Sequence, residues 1–302
     1  MNRPTVALTG GTGFIGGHLV PRLLDEGWSV RLLARRPPAH AAWLGRPIAV
    51  VPGSLEDAAA LAHLATGADA LVHLAGLVRA RGRAAFFRVN AEAAGRVAAA
   101  ARDAGVRRAV LVSTLAAREL ELSDYAASKA AGERAFLAAA PDGTLVLRPT
   151  AVYGPGDRAT LAIFRAARLP VVPVVGSVRA SLVHAADLAG AIAHALRNPQ
   201  TGTVEIDDGG PGYSWPAIMA AAAGRPVRCL AVPPALFVTV GHGAGLARLW
   251  GATPFFGPGK ARELVHRDWR PKGPALEGWR PVIALAEGFA ATAAWYRASG
   301  WL

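Results

Sequence analysis

Cys229 is the only thiol in this 302-residue chain, so no intrachain disulfide can form, and a reducing, cytoplasmic location is expected. No metal site is expected either. Lysine is almost as scarce: Lys129, Lys260 and Lys272 are the only three among 33 basic residues, and the rest are arginines spread through every segment. A nucleic-acid surface concentrates its cations on one face, so this scatter argues against nucleic acid as a partner. The 21 acidic residues leave a formal charge of +12, an excess that favours anionic small ligands. A long apolar run is also missing. The nearest approach, residues 229–250, is broken by Pro233, Pro234, His242, Arg248 and several glycines, so no uninterrupted stretch of about 18 apolar residues remains to cross a bilayer. That segment is expected to form a buried or cleft-capping helix pair, with no membrane span. The N-terminus reads as a first core strand, with no basic-then-apolar leader ahead of it.

What the chain has in quantity is apolar bulk. A hydrophobic content of 52% over 302 residues supports one large α/β domain with a smaller appendage and excludes disorder. Apolar runs of strand length alternate with alanine-rich stretches of helical period, the pattern of parallel strands joined by crossover helices. Strands are expected at 6–9, 30–34, 48–52, 70–74, 108–113 and 143–148, and helices at 13–27, 55–65, 86–105 and 125–140. From Pro149 onward prolines punctuate shorter elements, and 285–296 reads as a closing amphipathic helix. Residues 1–170 are therefore expected to form one domain to which later segments return, and 171–302 mostly a second, substrate-binding lobe.

Residues 5–17, TVALTGGTGFIGG, run from an apolar strand into Gly10, Gly13 and Gly16 and on into a helix that starts at Phe14 and Ile15. This is a dinucleotide-binding turn. Gly10 permits the tight turn, Gly13 lets backbone approach the pyrophosphate, and Gly16 lets the helix pack close to the sheet, with helix N–H groups facing the phosphates. The second strand ends VRLLARRPP, with Arg35 and Arg36 where an acidic residue would bind a ribose 2′-hydroxyl. Two guanidiniums clamp a 2′-phosphate, so NADP is favoured over NAD.

A second constellation supplies chemistry. Tyr125 and Lys129 are four residues apart, so on a helix they share a face, and the Lys129 ammonium is expected to lower the phenol's pKa toward working pH. Such a phenol serves as general acid or base. Thr114, or Ser113 beside it, ends a predicted strand, where its hydroxyl can hydrogen-bond the substrate oxygen.

Together with HLAG at 73–76, Asn90 and LRPTAVYGPGD at 147–157, these motifs resemble the extended short-chain dehydrogenase/reductase family in order and spacing over nearly the whole chain. The ending, EGFAATAAWYRASGWL, is similar to that family's last helix. The resemblance implies an α/β, Rossmann-type doubly wound parallel sheet with a smaller C-terminal substrate-binding lobe, a bound nicotinamide cofactor and a Ser/Thr, Tyr, Lys site. Thr114 matches the catalytic hydroxyl and Ser113 a cofactor-side position, while Lys129 would also hold the nicotinamide ribose. The cofactor would lie over Leu74, Ala75 and Gly76, with Pro149 and Thr150 flanking its nicotinamide end. Where relatives show Gly-Asp, this chain has Gly53 and Ser54, so Ser54 and Leu55 are the expected adenine neighbours and Asp57 the nearest carboxylate. Leu115, Tyr153, Arg179 and His184 are the substrate-side candidates, and His73, Asn90 and Asp187 read as scaffold.

The resemblance also bears on the reaction. Sugar 4,6-dehydratases of this family follow the catalytic Thr with Asp-Glu, whereas Leu115 and Ala116 follow Thr114, so dehydration is not expected. Nucleotide-sugar epimerases carry a longer loop before the tyrosine; here ten residues, partly apolar, separate Thr114 from Tyr125. The expected function is an NAD(P)-dependent carbonyl reductase or alcohol dehydrogenase acting on a small-molecule substrate, simple or lipid-like. The alternatives are a sugar epimerase of the same family and a nucleotide-binding assembly subunit without turnover. A homodimer through the helices at 86–105 and 125–140 is a further expectation.

Overall fold

The computed structural model describes residues 3–36, 43, 46, 48–176, 178–246 and 257–302. β1 (Thr5–Thr9) leads through the glycine turn into α1 (Phe14–Asp25), followed by β2 (Ser29–Ala34), β3 (Ile48–Pro52), α2 (Ala58–Ala65) and β4 (Ala70–His73). The helix expected from 55 starts three residues later because the Asp57 carboxylate caps it, accepting from the Ala60 N–H at 3.0 Å. The helix expected from 86 is three pieces: α3 (Arg83–Phe87), a π-helical turn (Arg88–Glu92) and α4 (Ala93–Asp103). β5 (Arg108–Val112), α5 (Asp124–Ala139) and β6 (Thr144–Pro149) follow. The remaining elements are β7 (Ala151–Tyr153), α6 (Leu161–Ala166), β8 (Val172–Val174), β9 (Arg179–Ala180), β10 (Leu182–His184), α7 (Ala185–Arg197) and β11 (Gly202–Ile206). Then come α8 (Trp215–Ala223), β12 (Cys229–Ala231), α9 (Pro234–Leu246), α10 (Pro258–Val265), β13 (Asp268–Trp269) and α11 (Leu285–Ala298).

Seven strands form one parallel sheet in the order β3-β2-β1-β4-β5-β6-β11. Both faces are covered, which is why its strands read as near-continuous apolar runs rather than alternating ones. One core layer joins Leu19, Leu23, Leu188 and Ile192 of α1 and α7 to the sheet, and the other joins Leu61, Leu64, Val97 and Phe136 of α2, α4 and α5. Sequential order reverses between β1 and β4, and in a doubly wound sheet the crevice beyond the strand ends at that point is where ligands bind.

A third core closes the lobe beside this crevice. Phe164 stacks on Phe289 with ring centroids 5.0 Å apart, and Tyr153 and Tyr296 are fully buried around them. The helix pair expected over 229–250 is instead a strand and one helix. Residues 229–231 pair in parallel with β8, and Pro233 and Pro234, which cannot continue a ladder, start α9. α9 lies on α10: a Cβ added at Gly241 would come within 2.5 Å of the Ala261 Cβ. Residues 247–250 of that expectation fall outside the described residues. No described helix is long and apolar enough to cross a membrane.

Candidate active site

A cleft of about 1500 Å³ opens at the switch point, floored by the ends of β1 and β4 and walled by the C-terminal lobe. Pockets for one drug-sized ligand run to ~300–1,000 Å³, so there is room here for a dinucleotide and a substrate together. Its nucleotide end is made by backbone. Gly10 sits at φ +71°, and a Cβ there would lie 2.5 Å from the Ala75 N. At Gly16 a Cβ would lie 2.0 Å from the Gly11 carbonyl oxygen, so the first turn of the helix closes on the glycine turn only because residue 16 is glycine. Gly13 caps α1 with no side-chain hydrogen bond and no acidic residue follows in the first turn, which leaves the helix N–H groups and dipole for an anion. These features fit a dinucleotide pyrophosphate. Gly10, Gly13, Phe14 and Ile15 line the cleft, as do Ser54 and Leu55 after β3 and Leu74, Ala75 and Gly76 after β4. Arg35 lines it as well, and Arg36 is exposed next to it. Gly16 lies behind this wall.

The other end of the cleft is set by α5. Ser123 caps the helix, accepting from the Ala126 N–H at 3.0 Å, and the first turn presents Tyr125 to the cleft. Thr114 hydrogen-bonds the Tyr125 phenol, and Leu115, Pro149 and Thr150 border the pair. Ser113 reaches the cleft, but its hydroxyl is turned to Glu133 at 2.5 Å, and the Arg148 guanidinium clamps that carboxylate at 2.9 Å. Of the two adjacent hydroxyls, the one beside the phenol is therefore Thr114's. Lys129 is buried one helical turn beyond Tyr125, where its ammonium donates to the Val112 carbonyl at 3.0 Å. A Cβ on Gly76 would stand 3.8 Å from Nζ, so the lysine lies just under the cleft floor.

Electrostatics correct one expectation. Burial pushes the Tyr125 phenol up to about 12, the Thr114 bond pulls it down in part, and the Glu263 charge pushes it up again. The phenol does not sit near neutrality: burial outweighs what lowers its pKa, while the Lys129 ammonium donates to a backbone carbonyl and is itself brought down to about 8 by burial against the Glu133 charge. At neutral pH the phenol is protonated.

Three substrate-side candidates lie away from the cleft. Tyr153 is fully buried in the lobe core against Phe289 at 4.6 Å between ring centroids. His184 is buried and caps α7, its Nδ1 accepting from the Ala186 N–H at 3.2 Å, with its pKa lowered chiefly by burial. Arg179 is exposed on β9, paired to β13, with its neighbour Ala180 rather than itself at the cleft. The scaffold residues sit as read. His73 is buried against the Thr9 hydroxyl at 2.6 Å and brought down to about 3 by burial, so it stays neutral. Asn90, in the π-turn, accepts from the Leu77 N–H at 2.7 Å and donates to Ser128 at 2.9 Å, tying the end of β4 to α5. Asp187 accepts from the Ile283 N–H at 2.9 Å.

Glu263 and its neighbours were missed. Its carboxylate accepts from the Ser123 hydroxyl at 2.5 Å and the Lys260 ammonium at 3.0 Å, so α10 grips the cap of the helix that carries Tyr125. Arg262 reinforces the grip on the Leu122 carbonyl at 2.8 Å, and all four side chains line the cleft. The available signal was that Glu263 is the first acidic residue after Asp208.

Comparison with known proteins fits this geometry. The profile of the NAD dependent epimerase/dehydratase family matches residues 6–207. Ceramide reductase of Caulobacter vibrioides is 46% identical over 311 residues, covering 99% of this chain and 96% of its own. Among solved structures, gox2253 superposes with a TM-score of 0.76 at 20% identity over 100% of both chains. MoeE5 in complex with UDP-glucuronic acid and NAD does so at 0.70 and 23% identity, over 98% of this chain and 99% of its own. The two structures speak for the fold alone. A glycine-cradled cleft at the switch point of a parallel sheet, matched along two thirds of the chain by one profile and end to end by a reductase, places the protein in the NAD-dependent epimerase/dehydratase family, as an extended short-chain oxidoreductase.

Proposed function

We propose that this chain is an NADP-dependent reductase that converts the ketone of a long-chain lipid of the ceramide class to an alcohol, with Tyr125 as proton donor and Thr114 and Lys129 as its partners. The observation that carries the reading is the 46% identity to a ceramide reductase along 99% of the chain. Two features of the cleft support it. Beyond Thr114 and Tyr125 the lobe side carries a run of apolar side chains, Ile163, Leu169, Val172, Val175, Met219 and Phe237, which suits acyl chains. The other is the protonated phenol that Tyr125 presents to the cleft, which can supply the proton that carbonyl reduction consumes.

When bound, the nicotinamide supplies the hydride. Thr114 and Tyr125 hydrogen-bond the substrate oxygen, and the phenol proton passes to it as negative charge develops. Lys129, beneath Gly76, would hold the cofactor ribose. Arg35, with Arg36 beside it, meets a 2′-phosphate, which favours NADP. Incubating the purified protein with NADPH and either a long-chain 3-keto amide or UDP-glucose tests the substrate class. NADPH oxidation with the keto amide alone is expected; turnover of the sugar nucleotide, or of neither, would overturn the reading.

A further inference from the structure

Two long stretches of the C-terminal lobe, 158–186 and 209–262, contain no aspartate or glutamate at all. Among the described residues Arg168, Arg225 and Arg228, which these stretches carry, form no ion pair. The stretches meet where β8 pairs with β12, the Val172 N–H donating to the Arg228 carbonyl at 2.9 Å. Arg168, Arg225 and Arg228 are exposed around this junction. Apolar side chains stand open among them: Leu169 is 49% exposed, Val171 38% and Leu230 58%. α9 follows β12 after two residues and adds two more open apolar side chains, Leu236 52% and Val240 54% exposed. These two are one turn apart and lie away from the Gly241 side, which packs on Ala261. α9 contains no Asp, Glu, Lys or Arg. Leu169 and Phe237 also line the cleft, so the patch borders its mouth.

We propose that this face docks peripherally on an anionic lipid bilayer, with the arginines at the headgroups, Leu236 and Val240 in the interface and the cleft mouth toward the lipid. Exposed apolar side chains beside arginines that form no ion pair among the described residues match an anionic apolar surface on both counts. A second copy of the chain matches on one only, because it would set arginine against arginine. The inference is independent of the proposed reduction, since its test uses neither substrate nor turnover.

The test is flotation of the purified protein with vesicles of phosphatidylcholine alone or mixed equally with phosphatidylglycerol. The native protein should float with the anionic vesicles and not the neutral ones, and added salt should release it. L236E/V240E and R225E/R228E should each lose at least about tenfold in partition while binding NADPH as the native protein does. Native protein that stays unbound, floats equally on neutral vesicles, or is matched by both variants would overturn the proposal. So would a native dimer that L236E/V240E converts to monomer, which would show a second copy covering the face.

Discussion

Replacing Lys129 with methionine should abolish turnover and stabilise the protein at once. The lysine lies 8% exposed with its pKa brought from 10.5 to about 8 by burial, so the folded state carries a charge it would rather not hold. That displacement corresponds to ~3 kcal/mol of destabilisation when both states are protonated. Losing the bond to the Val112 carbonyl returns ~1 kcal/mol, leaving a net gain of ~2 kcal/mol for the methionine variant at neutral pH. For a chain of this size that is a rise of a few degrees in Tm. The pH dependence carries a definite sign. Between about 8 and 10.5 the unfolded lysine holds a proton that the folded one has lost, so native stability rises with pH and the variant's advantage shrinks. The advantage should be complete below about 8 and gone by 10.5. Thermal denaturation of the cofactor-free proteins from neutral pH to above 10 measures it. A variant no more stable than native at neutral pH, or an advantage that does not change with pH, would refute the reasoning.

Other outcomes follow from the same geometry. Thr114→Val removes the hydroxyl beside Tyr125 at almost constant volume, so kcat should fall by ~10²–10³ with KM little changed and Thr114→Ser should restore most of it; steady-state kinetics of the three proteins decides this. NADPH should bind at least about tenfold more tightly than NADH, a difference of ~1.4 kcal/mol, and R35A/R36A should close the gap in a fluorescence titration. Equal affinities in the native protein would reduce both arginines to surface charges.

Much of the nucleotide half was legible because its signals are local. A glycine that would drive a Cβ to 2.0 Å from a backbone oxygen, as at Gly16, cannot be exchanged without breaking the turn, and so the motif is written in the sequence. Tyr125, Thr114 and the buried strands are placed by short spacings of the same kind. The substrate lobe is written in contacts between distant segments. Tyr153 and His184 stand in motif positions near the site, yet ring packing with Phe289 and the cap of α7 turn them into the lobe core. Glu263 reaches Ser123 across 140 residues, which no local pattern announces. The pKa of Tyr125 was misjudged for a similar reason: spacing put Lys129 on the same helix face, while the burial that outweighs what lowers the phenol's pKa comes from the fold.

Deuteride transfer tests the central claim most directly. With NADPH deuterated at the transferred position and a long-chain 3-keto amide, mass spectrometry should find one deuterium on the carbinol carbon with the native protein. Tyr125→Phe, which keeps the ring and the fold, should form no detectable product while binding NADPH unchanged. Product without the label, or equal turnover by Tyr125→Phe, would contradict a reductase whose hydride comes from the cofactor and whose proton comes from this tyrosine.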